Sequence, residues 1–219
     1  MTSFARTERE GFCSAALAAG PDAPTLCEGW TVLDLVVHVY QRESDPISGL
    51  AMLVPALSDL ADRRKTELLA TNGFTGVVEL VRQGPPKLSP FSIPGVDELA
   101  NGFEFFVHHE DIRRGVTVPP SRVLPHAVED LIWKRLRLLG RLMFRNATEG
   151  VVLERSDSVA DPEEPGESLR VAPGNPTVTL VGLPSELLLY AFGRTSAAHV
   201  RIVGDDQSVR RFEGLDLRA

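Results

Sequence analysis

Apolar residues recur at helical spacing through the first two thirds of the chain, then give way near Asn146 to short strand-like runs separated by turns. That change of period is the strongest constraint, because a helical stripe and a two-residue alternation build different layers of a fold. Residues Ser3 to Ala18 carry Phe4, Phe12, Ala15, Ala16 and Leu17 among charges, and Gly20-Pro21 stops the run. Thr31-Val-Leu-Asp34 has the form of a capping box, a hydroxyl N-cap with a carboxylate three residues on. It starts a helix through Leu35, Val36, His38 and Val39. A third helical region spans about Ile47 to Ala70, begun afresh or kinked at Pro55, and a shorter helix runs from Phe74 to Arg82. The prolines of GPPKLSPFSIPG make the next segment a loop. Two strong helices follow, about Gly95 to Arg114 and Pro125 to Arg145, with the turn VTVPPS between them.

Beyond Asn146 the strand candidates are Val151 to Arg155, Ser168 to Ala172, Thr177 to Val181 and Ala198 to Val203, with one helix from Ser185 to Gly193. The acidic segment SDSVADPEEPGES reads as a solvated loop. The fold class expected is therefore mainly α, with a helical bundle over residues 1–145 and a small α+β domain over 146–219.

Composition narrows the function classes. With 219 residues, 43% of them apolar, the chain can bury a real core. A formal net charge of −7 speaks against a nucleic-acid binder, which normally carries a basic surplus. The longest charge-free stretch, Val171 to Ser185, is broken by three prolines and is shorter than the roughly 20 residues of a transmembrane helix. The opening MTSFARTERE has acids where a signal peptide has its apolar core. Cys13 and Cys27 form no disulfide framework. The expectation is a cytoplasmic protein with reduced thiols, no membrane and no nucleic-acid partner.

The informative neighbourhood is Glu104-Phe-Phe-Val-His108-His-Glu-Asp111. Glu104 and His108, four apart, project from one face of a helix about one turn apart. Such a pair can hold one divalent cation, and His38, in the mostly apolar LDLVVHVY, is expected to point inward as well. Two nitrogens and a carboxylate oxygen suit Zn²⁺, or another first-row divalent ion, and leave a coordination position open. Each of these groups also has an ordinary structural reading, as a helix-surface pair or a hydrogen-bonded core histidine. His109 and Glu110 fall on other faces, solvated or packed. Asp111 can accept from the outer nitrogen of a ligand histidine, or pair with Arg113 or Arg114, and Asp34 is expected in the same supporting layer. Zincin, nucleophile-elbow, P-loop and dinucleotide-binding motifs do not occur, and the two cysteines are too far apart for a CxxC pair. The basic run Lys134, Arg135, Arg137, Arg141 and Arg145, on a helix with Leu131, Trp133, Leu138 and Leu142, reads as a solvated face.

Cys27-Glu-Gly-Trp30-Thr-Val-Leu-Asp34-Leu-Val-Val-His38, followed later by Glu104-x3-His108, resembles the mycothiol-dependent maleylpyruvate isomerase family of the DinB-like metal-binding superfamily. The run from Glu104 to Arg114 is similar to an actinobacterial subgroup described as metal-binding. The segment from Val181 to Arg194, with Val200-x3-Gly204-Asp205, is similar to the small sterol-carrier-like C-terminal domain of those isomerases. The resemblance implies a DinB-like four-helix bundle in which His38, Glu104 and His108 hold zinc and the metal activates the thiol of mycothiol. It implies as partners a small-molecule thiol and an electrophilic substrate, with Arg194, or the nearby Arg201, holding a substrate carboxylate. The thiolate would add to a conjugated double bond, allow rotation and leave by elimination, or be transferred to another electrophile. The activity implied is a mycothiol-dependent isomerase or thiol S-transferase. The alternative is a non-catalytic, metal-stabilised module that binds a small ligand or regulates a partner.

Overall fold

The computed structural model describes residues 3–45, 58–86, 89, 101–156, 166–215 and 217. The proposed kink at Pro55, most of the loop GPPKLSPFSIPG, the start of the helix expected from Gly95 and most of the acidic loop lie outside them. The described residues are mainly helical, with one small four-stranded sheet. They divide into two units, one up to Pro119 and one from Pro120.

In the first unit, α1 (Phe4–Ala19) begins where the Ser3 hydroxyl accepts from the Arg6 amide, and it ends at Gly20 with φ 84°. Helix α2 (Val32–Ser44) opens with the capping box in full, Thr31 and Asp34 each accepting from the other's backbone. Helix α3 (Ser58–Gln83) is broken at Gly73, whose φ of 63° only glycine adopts without strain. The two helices read from the sequence on either side of this point therefore abut with no intervening loop. Helix α4 (Gly102–Arg113) is buried around most of its circumference, including Phe103, Phe105, Phe106, Val107, His108, Glu110, Asp111 and Ile112. Phe12, Val36, Val77 and Phe105 bring all four helices into one core.

A helix buried on nearly every side must find partners for its polar groups, since an unpaired buried charge is prohibitively unfavourable. Helix α4 does so. Glu110 takes Arg113 and Arg114, and His109 pairs with Glu8 at 3.0 Å while its ring lies over Gly11. A Cβ at Gly11 would sit 2.5 Å from the His109 ring. Of the two surroundings open to His109 and Glu110, the packed one holds.

In the second unit, α5 (His126–Met143) is followed by β1 (Gly150–Arg155), β2 (Ser168–Ala172), β3 (Thr177–Gly182), α6 (Pro184–Ala191), β4 (Arg201–Val203) and α7 (Asp206–Glu213). The sheet order is β2-β1-β3-β4; β1 runs parallel to β3, and the two outer pairs are antiparallel. Helix α5 packs on α6 and β2, with Gly140 so close to Val171 that a Cβ would lie 2.5 Å from its methyl. Near the start of α5 the Glu129 carboxylate accepts from both the amide and the hydroxyl of Ser185, satisfying the first turn of α6. The division at Pro119/Pro120 thus differs from the one expected at 145. The stripe of α5 that is buried is Ile132, Trp133, Leu136 and Gly140, and it faces the sheet unit. Leu138 and Leu142, which the sequence sets beside Trp133, are exposed, as are Lys134, Arg137, Arg141 and Arg145 of the basic run. No helix among the described residues is long and apolar enough to cross a membrane.

Candidate metal centre

Helix α2 carries His38 two turns beyond its cap, and α4 carries Glu104 and His108 one turn apart. One donor atom from each of the three lies within 4.8 Å of the other two. His108 Nε2 is 3.2 Å from Glu104 Oε1, and His38 Nε2 is 4.0 Å from the same oxygen. Ligand atoms about 2.0–2.1 Å from a tetrahedral zinc ion stand about 3.3 Å from one another. The first separation already matches, and the second needs a closing movement of less than 1 Å. The donor set of two imidazoles and one carboxylate fits zinc or a similar divalent ion and leaves a fourth position for another ligand. The two histidine rings meet edge to face with centroids 5.4 Å apart, and the Trp30 ring also meets His38 edge to face, at 5.1 Å.

Behind His108, Asp111 Oδ2 lies 2.9 Å from Nδ1, and Asp111 has no exposed surface. That bond sets the tautomer, with Nδ1 donating and Nε2 left to face Glu104 and His38. The same Asp111 oxygen accepts from the Cys27 thiol at 3.3 Å, while the Asp111 carbonyl accepts from the Leu26 amide. Cys27, His108 and Asp111 form a second group whose donor atoms lie within 4.8 Å of one another. Gly115 makes this seam possible: a Cβ there would be 2.2 Å from the Pro24 carbonyl oxygen.

The electrostatics follow from these contacts. Burial alone would raise the Glu104 carboxyl, but His108, His38 and the Arg42 charge hold it well below its ordinary value. Burial alone would lower His108, yet bonds to Asp111, Cys27 and Glu104 raise it well above the ordinary imidazole value. These partners favour the protonated form of His108, so a metal ion that takes Nε2 competes with a proton for it.

The structure therefore brings His38, Glu104, His108 and Asp111 together. Asp34 is occupied as a cap, its Oδ2 accepting from the Thr31 amide and hydroxyl and its Oδ1 from Lys65 Nζ at 2.6 Å. Its position one turn before His38 serves the helix start, and the expectation that it supports a ligand histidine is corrected accordingly. Arg194 lies in the second unit beyond α6, with its guanidinium donating to the Phe192 carbonyl at 2.7 Å, and Arg201 begins β4 with its side chain exposed. Three neighbours of the site were not assigned a part in it from the sequence: Cys27, Trp30 and Arg42. Arg42 follows His38 by one turn, a spacing that could have flagged it. No family model, curated protein or solved structure matches the chain.

Proposed function

We propose that the first unit is a divalent-metal centre of the zinc type, held by His38, Glu104 and His108, that serves thiol chemistry. The observation that carries this reading is the convergence of three metal-ligating groups from two helices on one point, with Asp111 orienting one of them. The resemblance of the Cys27–His38 and Glu104–His108 segments to the maleylpyruvate isomerase family adds the cofactor, mycothiol. On this reading the four helices are a DinB-like bundle, the second unit is a sterol-carrier-like domain, and the protein works in the cytoplasm. A bound zinc ion would supply the Lewis acidity that favours the deprotonated form of a cofactor thiol at neutral pH.

The chain's own residues do the rest. His38 and His108 each present one imidazole nitrogen, and Glu104 brings the single negative charge of the ligand set. Asp111 keeps the proton of His108 on Nδ1, so that Nε2 stays available. The Trp30 ring packs edge to face against His38 and limits the directions its imidazole can take. The same resemblance gives Arg194, or Arg201, with a forked cationic head, the task of holding a carboxylate of the electrophilic substrate.

Metal analysis of untagged protein purified with zinc present tests the reading. The expected result is about one zinc per chain, abolished by His38→Ala or His108→Ala. Thiol titration of the zinc form should then show mycothiol bound with a depressed pKa and turnover of an activated-alkene or other electrophilic substrate. Protein without stoichiometric metal refutes the centre. Metal without turnover, together with a tight ligand seen by native mass spectrometry, would make the protein a binding module instead.

A further inference from the structure

A line of buried and half-buried polar groups reaches Glu104, and the proposed ligand set does not itself require it. Arg9 of α1 places both terminal nitrogens on Glu43 of α2, at 2.6 and 2.7 Å, with Nη1 also on the Val81 carbonyl. Glu43 Oε1 accepts from Asn101 Nδ2 at 2.6 Å, and Asn101 Oδ1 accepts from Arg42 Nη1 at 2.5 Å. The Arg42 Nε stands 3.7 Å from Glu104 Oε1, the oxygen that faces both histidines. The line Arg9–Glu43–Asn101–Arg42–Glu104 links α1, α2 and α4.

Two features argue that this line does more than hold the fold. Burying an ion pair such as Arg9–Glu43 contributes little net stability compared with apolar packing, so its presence calls for another role, such as fixing one arrangement. Asn101, fully buried at the start of α4, has both ends of its side-chain amide occupied. Its nitrogen donates to Glu43 and its oxygen accepts from Arg42, so the one amide joins the buried ion pair to the residue beside Glu104.

We infer that Arg42 and Asn101 are positioning residues of the metal centre: Asn101 fixes Arg42, and Arg42 turns the Glu104 carboxylate toward His38 and His108. The inference rests on the metal-centre reading above. Arg42→Lys keeps the charge and loses the fork that reaches Asn101 and Glu104 at once, so it separates geometry from simple charge. Asn101→Ser is too short to join Glu43 and Arg42 and keeps a small polar side chain at that place.

The measurements are zinc affinity by competition with a chromophoric chelator, the visible spectrum of the cobalt(II) form, and the melting temperature of the metal-free protein. Each variant should weaken zinc about 10- to 100-fold. The double variant should be no weaker than the weaker single, because both act through one chain. The cobalt spectrum should change in shape as the carboxylate leaves its place, which a loss of stability alone would not produce. Should Asn101→Ser fail to fold, Arg42→Lys decides. Zinc affinity within about twofold of the wild type with an unchanged cobalt spectrum overturns the inference while leaving the centre intact. A wild-type protein that binds no zinc overturns the centre itself, and the inference with it.

Discussion

Replacing Asp111 by Asn removes a charge from the base of the site while preserving its volume. Asp111 is fully buried and accepts two hydrogen bonds at one oxygen, from His108 Nδ1 at 2.9 Å and from the Cys27 thiol at 3.3 Å. A buried hydrogen bond between charged partners contributes about 1.5–3 kcal/mol, and the thiol, a weak donor, adds little. In metal-free protein the Asp111→Asn variant should therefore lose about 2 kcal/mol when His108 is charged. The pH dependence follows from the raised His108 pKa. A base whose folded pKa lies above its ordinary 6.5 contributes stability that is fully present below 6.5 and lost as pH rises through the folded value. Urea unfolding should thus show the full loss at about pH 6 and a smaller one in mild alkali, where a neutral imidazole still donates to the amide oxygen. A destabilisation that is flat across this range, or larger in alkali, would refute the assignment of the His108 proton to the Asp111 bond. The zinc affinity of the same variant should fall about 10- to 100-fold, as for other partners of ligating histidines.

Other expectations follow from the same structure. Burial pushes the Cys13 thiol up to about 12, whereas Cys27 is partly exposed; native protein should therefore titrate one thiol with a disulfide reagent at neutral pH, and Cys27→Ser should abolish that signal. Gly115→Ala drives a methyl into the Pro24 carbonyl, so urea unfolding should report a loss of about 1–3 kcal/mol or more; a variant as stable as wild type would show that the seam can open without strain. Burial raises the Glu129 carboxyl despite its Ser185 bonds, so its charge opposes folding as pH rises above the ordinary 4.5. Glu129→Gln should consequently stay within about 1 kcal/mol of wild type at neutral pH, while Glu129→Ala, which uncaps α6, should lose more; equal losses would contradict this account.

Local chemistry was readable in the sequence wherever the structure depends on neighbours along the chain. The Thr31–Asp34 cap, the stop at Gly20, the separate helices before and after Gly73 and the Glu104–His108 pair are all set within a few residues. What escaped is set by partners far along the chain. The apolar stripe of α5 shows that the helix is buried on one side, and no periodicity says that the covering surface is β2 and α6. Cys27 meets Asp111 across 84 residues, and Arg42 meets Asn101 across 59. Asp34 had two plausible duties, and Lys65, 31 residues on, makes it a cap and an ion pair. The parallel pairing of β1 with β3, with β2 turned to the outer side, is likewise a choice that strand patterns leave open. The short α7, polar along most of its length, offered only Asp205 as its cap and the apolar Val209 and Phe212 as signals.

The two tryptophans of the chain are divided one to each unit. Trp133 is buried in the second with its indole nitrogen on Glu167, and Trp30 is part-exposed in the first with its ring 5.1 Å from the His38 imidazole. Selective excitation of indole in a Trp133→Phe background would therefore report on one place, the surroundings of His38 in the proposed metal centre. Arrival of a cation and entry of a ligand would each alter the quenching of that single fluorophore. The protein thus carries a built-in optical gauge of its own site, readable in dilute solution without a label.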